Sequence, residues 1–232
     1  MRSFCYPFRR LFLVAGLTLF CGCHAAPTAP TPAAQPVASI PVPAPVVNDT
    51  RPPLVCFGDS LTAGYGVDMD ESFPDYLQQD LDAAGYSYHV LNEGVSGNTT
   101  KDGLTRLPHL LALKPAVVIV ELGGNDGLRG LSVDQTQSNL DAILAALTSA
   151  KIRVVLGGIT LPPNYGSTYI QGFDHIYAAL AKKYHVPLLP FVLSNVFGVP
   201  GSMQDDGIHA TAQGNQQVAK NFLPYLKPLL KK

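Results

Sequence analysis

Residues 54–66 read LVCFGDSLTAGYG, and this stretch decides the fold. Its first five residues form an apolar run that ends at Gly58, which is typical of a strand buried on both faces of a sheet. The residues that follow are mainly polar or glycine, which is typical of a tight turn at the end of a strand. A wholly apolar strand of this kind predicts a parallel sheet, because antiparallel strands usually alternate apolar and polar residues.

The same pattern of a short apolar run followed by a helix recurs along the chain. Four further strands are predicted at residues 88–91, 116–120, 154–156 and 187–189. Helices are predicted at residues 72–84, at 104–113 with an interruption at Pro108, from 132 onward, at 176–184 and at 211–230. This alternation predicts a doubly wound α/β fold of the flavodoxin-like type: a five-stranded parallel sheet with helices on both faces, in three layers. Ligands in such folds bind beyond the carboxyl ends of the strands.

The first 22 residues have the composition of an export signal. Three arginines precede an apolar run at residues 11–20, which is too short for a comfortable membrane span. The following Gly22-Cys23 resembles the end of a bacterial lipoprotein signal, in which the cysteine becomes lipidated. The alternative is an ordinary cleaved signal that ends near Ala25 or Ala26.

The rest of the chain divides into a linker and one domain. Residues 23–53 are rich in proline and alanine, which predicts a semi-rigid linker. Residues 54–232 are enough for one domain with its own core. Of the four cysteines, Cys56 alone lies in this domain, where its apolar neighbours predict a buried thiol and no internal disulfide. The formal net charge of −1, without a basic stripe, argues against a nucleic-acid-binding protein.

Polar or glycine-rich clusters follow several of the predicted strands, and they contain Ser60, Gly97, Asn125, Asp206 and His209. Acyl transfer needs a hydroxyl nucleophile, a histidine base and a carboxylate that orients the histidine. Ser60, His209 and Asp206 provide these three groups. The reaction also needs fixed N–H donors for the oxyanion, which the backbone of Gly97 and the side chain of Asn125 can supply.

Each cluster taken alone has a simpler interpretation. Residues 58–60 and 123–126 could be plain turns, and residues 206–209 could be the N-cap region of a helix. Asp205, Asp206 and His209 could also bind a metal ion. The other histidines are scattered without the spacing of ligands, so no metal site is predicted.

Taken together, the four clusters that contain Ser60, Gly97, Asn125 and Asp206 with His209 resemble the SGNH or GDSL hydrolase family. Within it, the chain is similar to the bacterial periplasmic thioesterase, lysophospholipase and arylesterase group. The resemblance extends from about Leu54 to Leu226, and residues 121–130 and 203–209 carry its most specific part.

The resemblance implies a role for each residue of the predicted site. It implies that the backbone N–H of Ser60 joins Gly97 and Asn125 in an oxyanion hole, and that Ser60, Asp206 and His209 form a catalytic triad. It implies no cofactor, and it implies export to the periplasm. A lipid on Cys23 would in addition attach the protein to a membrane.

The substrate expected from the sequence is a small ester or thioester with an acyl chain, such as an aryl ester, an acyl thioester or a lysophospholipid. Apolar side chains beside the predicted site favour an acyl groove, and the candidates are Leu128, Leu161, Pro162 and Tyr165. The alternative is that Leu161 and Tyr165 only pack their loop onto the core.

Two other functions remain open at this stage. The chain could remove acetyl groups from envelope polysaccharide, or it could be a non-catalytic envelope binding protein on the same fold. The sequence predicts neither the physiological substrate nor the oligomeric state.

Overall fold

The computed structural model describes residues 49–232, and a five-stranded parallel sheet runs through them. The strand order is β2-β1-β3-β4-β5, which is the flavodoxin-like order expected from the sequence. The strands are β1 Pro53–Gly58, β2 His89–Gly94, β3 Val117–Glu121, β4 Arg153–Gly157 and β5 Leu188–Leu189. Because β1 pairs with β2 on one side and with β3 on the other, the strand order reverses beside β1. The turns after β1 and β3 therefore flank the crevice in which this fold binds ligands.

Within residues 49–232, seven α-helices connect the strands and cover the sheet. They are α1 Ser60–Ala63, α2 Phe73–Ala83, α3 Thr100–Ala112, α4 Gly124–Leu128, α5 Val133–Ser149, α6 Ser167–Tyr184 and α7 Ala212–Leu226. The long helices form two groups, since α2 packs against α7, whereas α5 packs against both α3 and α6. These two groups are the outer layers of the predicted three-layer arrangement.

The core lies on both faces of the central strands. Leu54 to Phe57 of β1 and Val117 to Val120 of β3 have no exposed surface. Between α2 and α7, the rings of Phe73 and Phe222 stack with centroids 5.4 Å apart. The free thiol of Cys56 is fully buried, as its apolar neighbours predict. This packing gives the turns at the carboxyl ends of β1 and β3 a rigid base.

Two helices begin earlier than the sequence pattern indicates. Helix α3 starts at Thr100 rather than at residue 104, because Thr99 and Asp102 form a capping box at its beginning. It also continues through Pro108, which removes only the one hydrogen bond that its missing N–H would make. Helix α6 starts at Ser167 rather than at residue 176, because buried Phe173 extends the apolar face of its second half toward the N-terminus.

The folded domain also begins slightly before residue 54. Strand β1 starts at Pro53, and Arg51 pairs with Asp49 at 2.7 Å and with Asp82 of α2 at 3.0 Å. The predicted signal segment, Cys23 and the linker up to residue 48 lie outside the described residues. Within residues 49–232, no helix combines the length and the apolar character needed to cross a membrane.

Candidate active site

Ser60 is held at the carboxyl end of β1 by the shape of its own turn. It is the first residue of α1, and the Asp59 side chain caps this helix by accepting a hydrogen bond from the N–H of Leu61 at 3.1 Å. Across the turn, Gly94 touches the backbone of Ala63 so closely that a Cβ at position 94 would collide with it. These contacts therefore fix the backbone position from which the side chain of Ser60 extends at the sheet edge.

The structure brings Ser60, His209 and Asp206 together. Nε2 of His209 lies 2.9 Å from Oγ of Ser60, and Nδ1 lies 2.6 Å from Oδ2 of Asp206. The other carboxylate oxygen of Asp206 accepts the N–H groups of Ile208 at 2.9 Å and His209 at 3.0 Å. The histidine therefore bridges a hydroxyl and an oriented carboxylate, which is the arrangement needed to take a proton from Ser60.

The charge of Asp206 is fixed by these contacts. Partial burial acts to raise its pKa, but the hydrogen bonds from the backbone and ring of His209 and from the N–H of Ile208 outweigh this effect. The result is a pKa of about 2. Asp206 is therefore ionised near neutral pH and can stabilise a positive charge on the imidazole ring.

A second set of contacts holds the loop that carries His209. The Gln204 side chain donates to the carbonyl of Tyr65 at 2.7 Å and to that of Ala210 at 2.8 Å, so it joins the loop after β1 to the segment before α7. The ring of Tyr65 lies 4.6 Å from the ring of His209, centroid to centroid. Sequence reasoning did not identify Gln204 or Tyr65, because neither residue type is specific to such a role.

The two remaining predicted residues, Gly97 and Asn125, lie at the same edge. Gly97 has a φ of +81°, a conformation that favours glycine, and its carbonyl accepts a hydrogen bond from Arg129 at 2.9 Å. The side-chain nitrogen of Asn125 lies 3.1 Å from Oδ2 of Asp59 and 3.0 Å from the carbonyl of Asn98. Asn125 is therefore anchored to the turn before Ser60 and to the loop of Gly97.

Two buried carboxyl groups lie directly behind Ser60. Asp59 is 2% exposed and Glu121 is fully buried. Loss of solvation raises the pKa of Asp59 to about 6, against hydrogen bonds from Leu61 and Asn125 that lower it. Loss of solvation, followed by repulsion from Asp59, raises the pKa of Glu121 well above its usual range. A hydrogen bond from Thr62 at 2.7 Å opposes this rise but does not outweigh it, so we expect Glu121 to be protonated while Asp59 is charged near pH 7.

An apolar groove of about 330 Å³ opens beside Ser60 and His209. Of the four residues predicted to form an acyl groove, Leu128, Leu161 and Pro162 line it. Tyr165 is not among its lining residues. Its hydroxyl instead donates to the carbonyl of Leu128 at 2.9 Å, so Tyr165 supports the groove from behind.

A second part of the groove wall was missed by sequence reasoning. It consists of residues from the segment after β5 and of one residue beside His209: Phe191, Val192, Leu193, Phe197 and Ile208. A signal for it exists in the sequence, because residues 191–193 continue the apolar run of the fifth strand past its end. Phe197 is 57% exposed and Ile208 is 41% exposed, so both are available to an apolar ligand.

The sequence analysis also considered Asp205, Asp206 and His209 as metal ligands, and it predicted no metal site. Within residues 49–232, no group of three histidine, cysteine or acidic side chains is placed to hold a metal ion. Asp206 instead uses both of its oxygens on His209 and its neighbour Ile208.

Comparison with known proteins identifies a matching family model, similar sequences and a similar crystal structure. A family model described as "GDSL-like Lipase/Acylhydrolase family" matches residues 56–217. The chain is 46% identical over 178 residues to "Esterase TesA" of Pseudomonas aeruginosa, which covers 76% of this chain and 89% of that protein. It is 42% identical over 178 residues to "Thioesterase 1/protease 1/lysophospholipase L1" of Escherichia coli K12, which covers 76% of this chain and 84% of that protein. A crystal structure of TesA superimposes with a TM-score of 0.74 at 45% identity, and covers 77% of this chain and 99% of that one.

Proposed function

The chain belongs to the GDSL-like lipase/acylhydrolase family and is an esterase, and on this premise we propose that it cleaves carboxylic ester and thioester bonds through an acyl-enzyme on Ser60. One observation carries this proposal: His209 contacts Oγ of Ser60 with one ring nitrogen and the carboxylate of Asp206 with the other, at the mouth of an apolar groove. In the proposed mechanism Ser60 is the nucleophile, His209 the general base and Asp206 its orienting partner.

In the first step, Oγ of Ser60 attacks the acyl carbonyl carbon while its proton passes to Nε2 of His209. The imidazolium that forms keeps its Nδ1–H on the ionised carboxylate of Asp206. The tetrahedral intermediate then collapses, and the alcohol or thiol leaves with the proton from Nε2. Water attacks the acyl-enzyme by the same route and restores Ser60.

The oxyanion of the intermediate needs donors that are already in place. We propose the backbone N–H groups of Ser60 and Gly97 and the side chain of Asn125 for this role. Both N–H bonds of Asn125 are engaged, one with Asp59 and one with Asn98. We expect the bond to the neutral carbonyl of Asn98 to be the one shared with the oxyanion, because the charged Asp59 holds its bond more strongly.

The groove defines the chemistry of the acyl part. Its walls are aliphatic and aromatic, with Leu128, Leu161 and Pro162 facing the segment of Phe191 and Phe197. A polysaccharide acetyl ester would leave most of this apolar surface without a partner, whereas a longer acyl chain would cover it. This favours an acyl chain of several carbons over an acetyl group. The relatives named as a thioesterase and a lysophospholipase support the same substrate class.

We predict that activity rises with acyl-chain length until the groove is filled. Each methylene moved from water to an apolar wall contributes up to about 0.8 kcal/mol, so kcat/KM for p-nitrophenyl esters should rise up to roughly fourfold per methylene at short lengths. Phe197→Ala should flatten this rise and spare acetate esters, since Phe197 is half exposed and its loss leaves the core intact. The measurement is kcat/KM across a series from acetate to laurate.

The matched control is Val199→Ala, which shortens an exposed side chain in the same segment outside the groove lining. It should keep the full slope. A flat profile in the wild type, or a strict preference for acetate, would reject the groove and favour the polysaccharide deacetylase. No hydrolysis of any ester in the series would favour a binding protein instead.

We also propose that the protein is exported and held at the cell envelope by a lipid on Cys23. The support comes from the sequence: an arginine-rich start, an apolar run at residues 11–20, and a proline-rich segment after Cys23. Cys23→Ser should move the protein from the membrane fraction to the soluble fraction of the native host. A wild-type protein that is already soluble and begins near Ala26 would show an ordinary cleaved signal.

A further inference from the structure

Charged side chains are divided between the two edges of the sheet. The catalytic edge, at the carboxyl ends of the strands, is mainly acidic, with Asp68, Asp70, Glu71, Asp102, Asp134, Asp205 and Asp206 near helix starts and loops. The opposite edge, which we call the amino edge, holds the residues that precede each strand and the residues after α7. Its cations are Arg51, Lys114, Lys151, Arg153, Lys182, Lys183, Lys227, Lys231 and Lys232. In an acidic chain, this edge forms a separate basic surface.

Most of these cations are not neutralised by neighbours. At the amino edge, Asp49 and Asp82 both pair with Arg51. The guanidinium of Arg153 donates to the carbonyls of Ala116 and Leu229, so it keeps its full charge. Lys183 pairs with Asp141 at 2.6 Å, and among the described residues the other lysines of this edge make no salt bridge.

Four of the cations surround one concave area. A hollow of about 640 Å³ is lined by Lys151, Arg153, Lys231 and Lys232 together with small and apolar residues. No acidic side chain belongs to its lining. Such a surface attracts anions that come within about 8 Å of it, since charges farther apart are largely screened at physiological ionic strength.

Two of the lysines occupy positions that suit glycine better. Lys114 follows α3 with a φ of +51°, and Lys151 follows α5 with a φ of +61°. In the matching turn after α2 the chain has Gly85, with a φ of +76°. The left-handed conformation is unfavourable for a side chain with a Cβ. The sequence therefore keeps exposed positive charge at two turns where a glycine would relieve strain.

Lysines beside helix C-termini also have a local benefit, because they interact with the negative end of the helix dipole. This benefit explains single lysines in the two turns. It does not explain Arg153, Lys231 and Lys232, which gather at the same hollow without following directly on a long helix. The surface as a whole is therefore available to an anionic partner.

We propose that the amino edge is a docking surface for a membrane that contains anionic phospholipids. The edge at which the preceding residues enter the domain favours a membrane over other polyanions. The 48 residues that precede the described structure join the domain at this edge, where Pro53 begins β1. Those residues include the predicted lipid attachment site at Cys23. A domain docked in this way has its catalytic edge, on the opposite side of the sheet, open to substrate.

The test is cosedimentation of the full chain with lipid vesicles. Every version carries Cys23→Ser and the same residues 1–48, so that differences in binding between the variants are due to the folded domain alone. The wild-type domain should bind vesicles of phosphatidylcholine mixed with phosphatidylglycerol more strongly than vesicles of phosphatidylcholine, and high salt should remove the difference. Lys114→Gly combined with Lys151→Gly should weaken binding to the anionic vesicles by at least about tenfold, since each cation near such a surface contributes roughly fivefold.

Stability measurements separate this role from a structural one. The double glycine variant should keep or raise the midpoint of thermal unfolding, because glycine adopts the left-handed conformation without strain. The control is Lys101→Gln combined with Lys220→Gln, which removes two exposed charges outside the amino edge and should leave vesicle binding unchanged. Circular dichroism verifies that each variant is folded.

Three results would overturn the proposal. The first is equal binding of the wild type to both kinds of vesicle. The second is an equal loss of binding in the control pair and in the glycine pair. The third is stabilisation by inorganic phosphate without vesicle binding, which would mark the hollow as a small-anion site. None of these results bears on the esterase chemistry, which is read separately from hydrolysis of a soluble ester.

Discussion

Replacing Ser60 with alanine is expected to lower kcat for ester hydrolysis by roughly 10⁴–10⁶-fold, as the loss of a nucleophile does in other serine hydrolases. The hydroxyl 2.9 Å from Nε2 of His209 is the proposed attacking group, and without it no acyl-enzyme can form. The measurement is steady-state hydrolysis of p-nitrophenyl butyrate, combined with labelling by a fluorophosphonate that reacts with activated serines.

The variant should stay folded, since the change removes one oxygen at the start of a short helix at the sheet edge. Ser167→Ala at the start of α6 is a suitable control, because it removes the same group from an exposed position. Residual activity within about tenfold of the wild type would rule out Ser60 as the nucleophile.

Replacing Asn125 with alanine is expected to lower kcat by roughly 10²–10³-fold with a smaller change in KM, which is the effect of losing one oxyanion donor. The physical reason is that the donor acts on charge that develops only in the transition state. An unchanged kcat would mean that Asn125 only closes the turn after β3.

Asp59→Asn tests how Asn125 is positioned. The substitution removes the negative charge that holds one N–H of Asn125, so kcat should fall while KM changes little. Asp59→Glu should not restore activity, because the buried site is closed around the shorter side chain. A parallel fall in binding and turnover would instead indicate general damage to the site.

The pH dependence of stability gives an independent readout for Asp59. Its pKa of about 6 in the folded protein lies above its unfolded value of about 4. Its contribution to stability is therefore fully present below about pH 4 and is lost as the pH rises through about 6. Compared with the wild type, Asp59→Asn should gain stability over this range, and urea unfolding at several pH values measures the difference.

The sheet was predictable because its strands are apolar throughout. Residues such as Val117 to Val120 fit one structural context, a strand covered on both faces, and the connecting helices then require a parallel order. The catalytic edge followed from the same rule, since the polar clusters of Ser60, Asn125 and His209 come after strands or before the last helix. Predicting the edge at which these residues lie required no knowledge of side-chain contacts.

Other parts of the site depend on contacts that the sequence does not encode locally. Tyr165 is an amphipathic residue of the kind expected in a groove. Its hydroxyl, however, donates to the carbonyl of Leu128, and this bond holds the side chain behind the groove wall. The wall around Phe197 arises from a segment that returns to the site after a strand of only two residues. The raised pKa of Glu121 is due in part to Asp59, which is 62 positions away and becomes its neighbour only because β1 and β3 pair.

The bond between Ser60 and His209 joins residues 149 positions apart in the chain. It requires the first strand of the domain and the segment just before its last helix to be in place at the same time. Contacts of such long sequence separation form late during folding, after local helices and turns. If Ser60 and His209 act as proposed, a nascent chain that lacks the C-terminal segment carries an inert serine. We then expect hydrolytic activity to appear only after this segment has been synthesised and packed, so that recovery of activity marks the completion of folding.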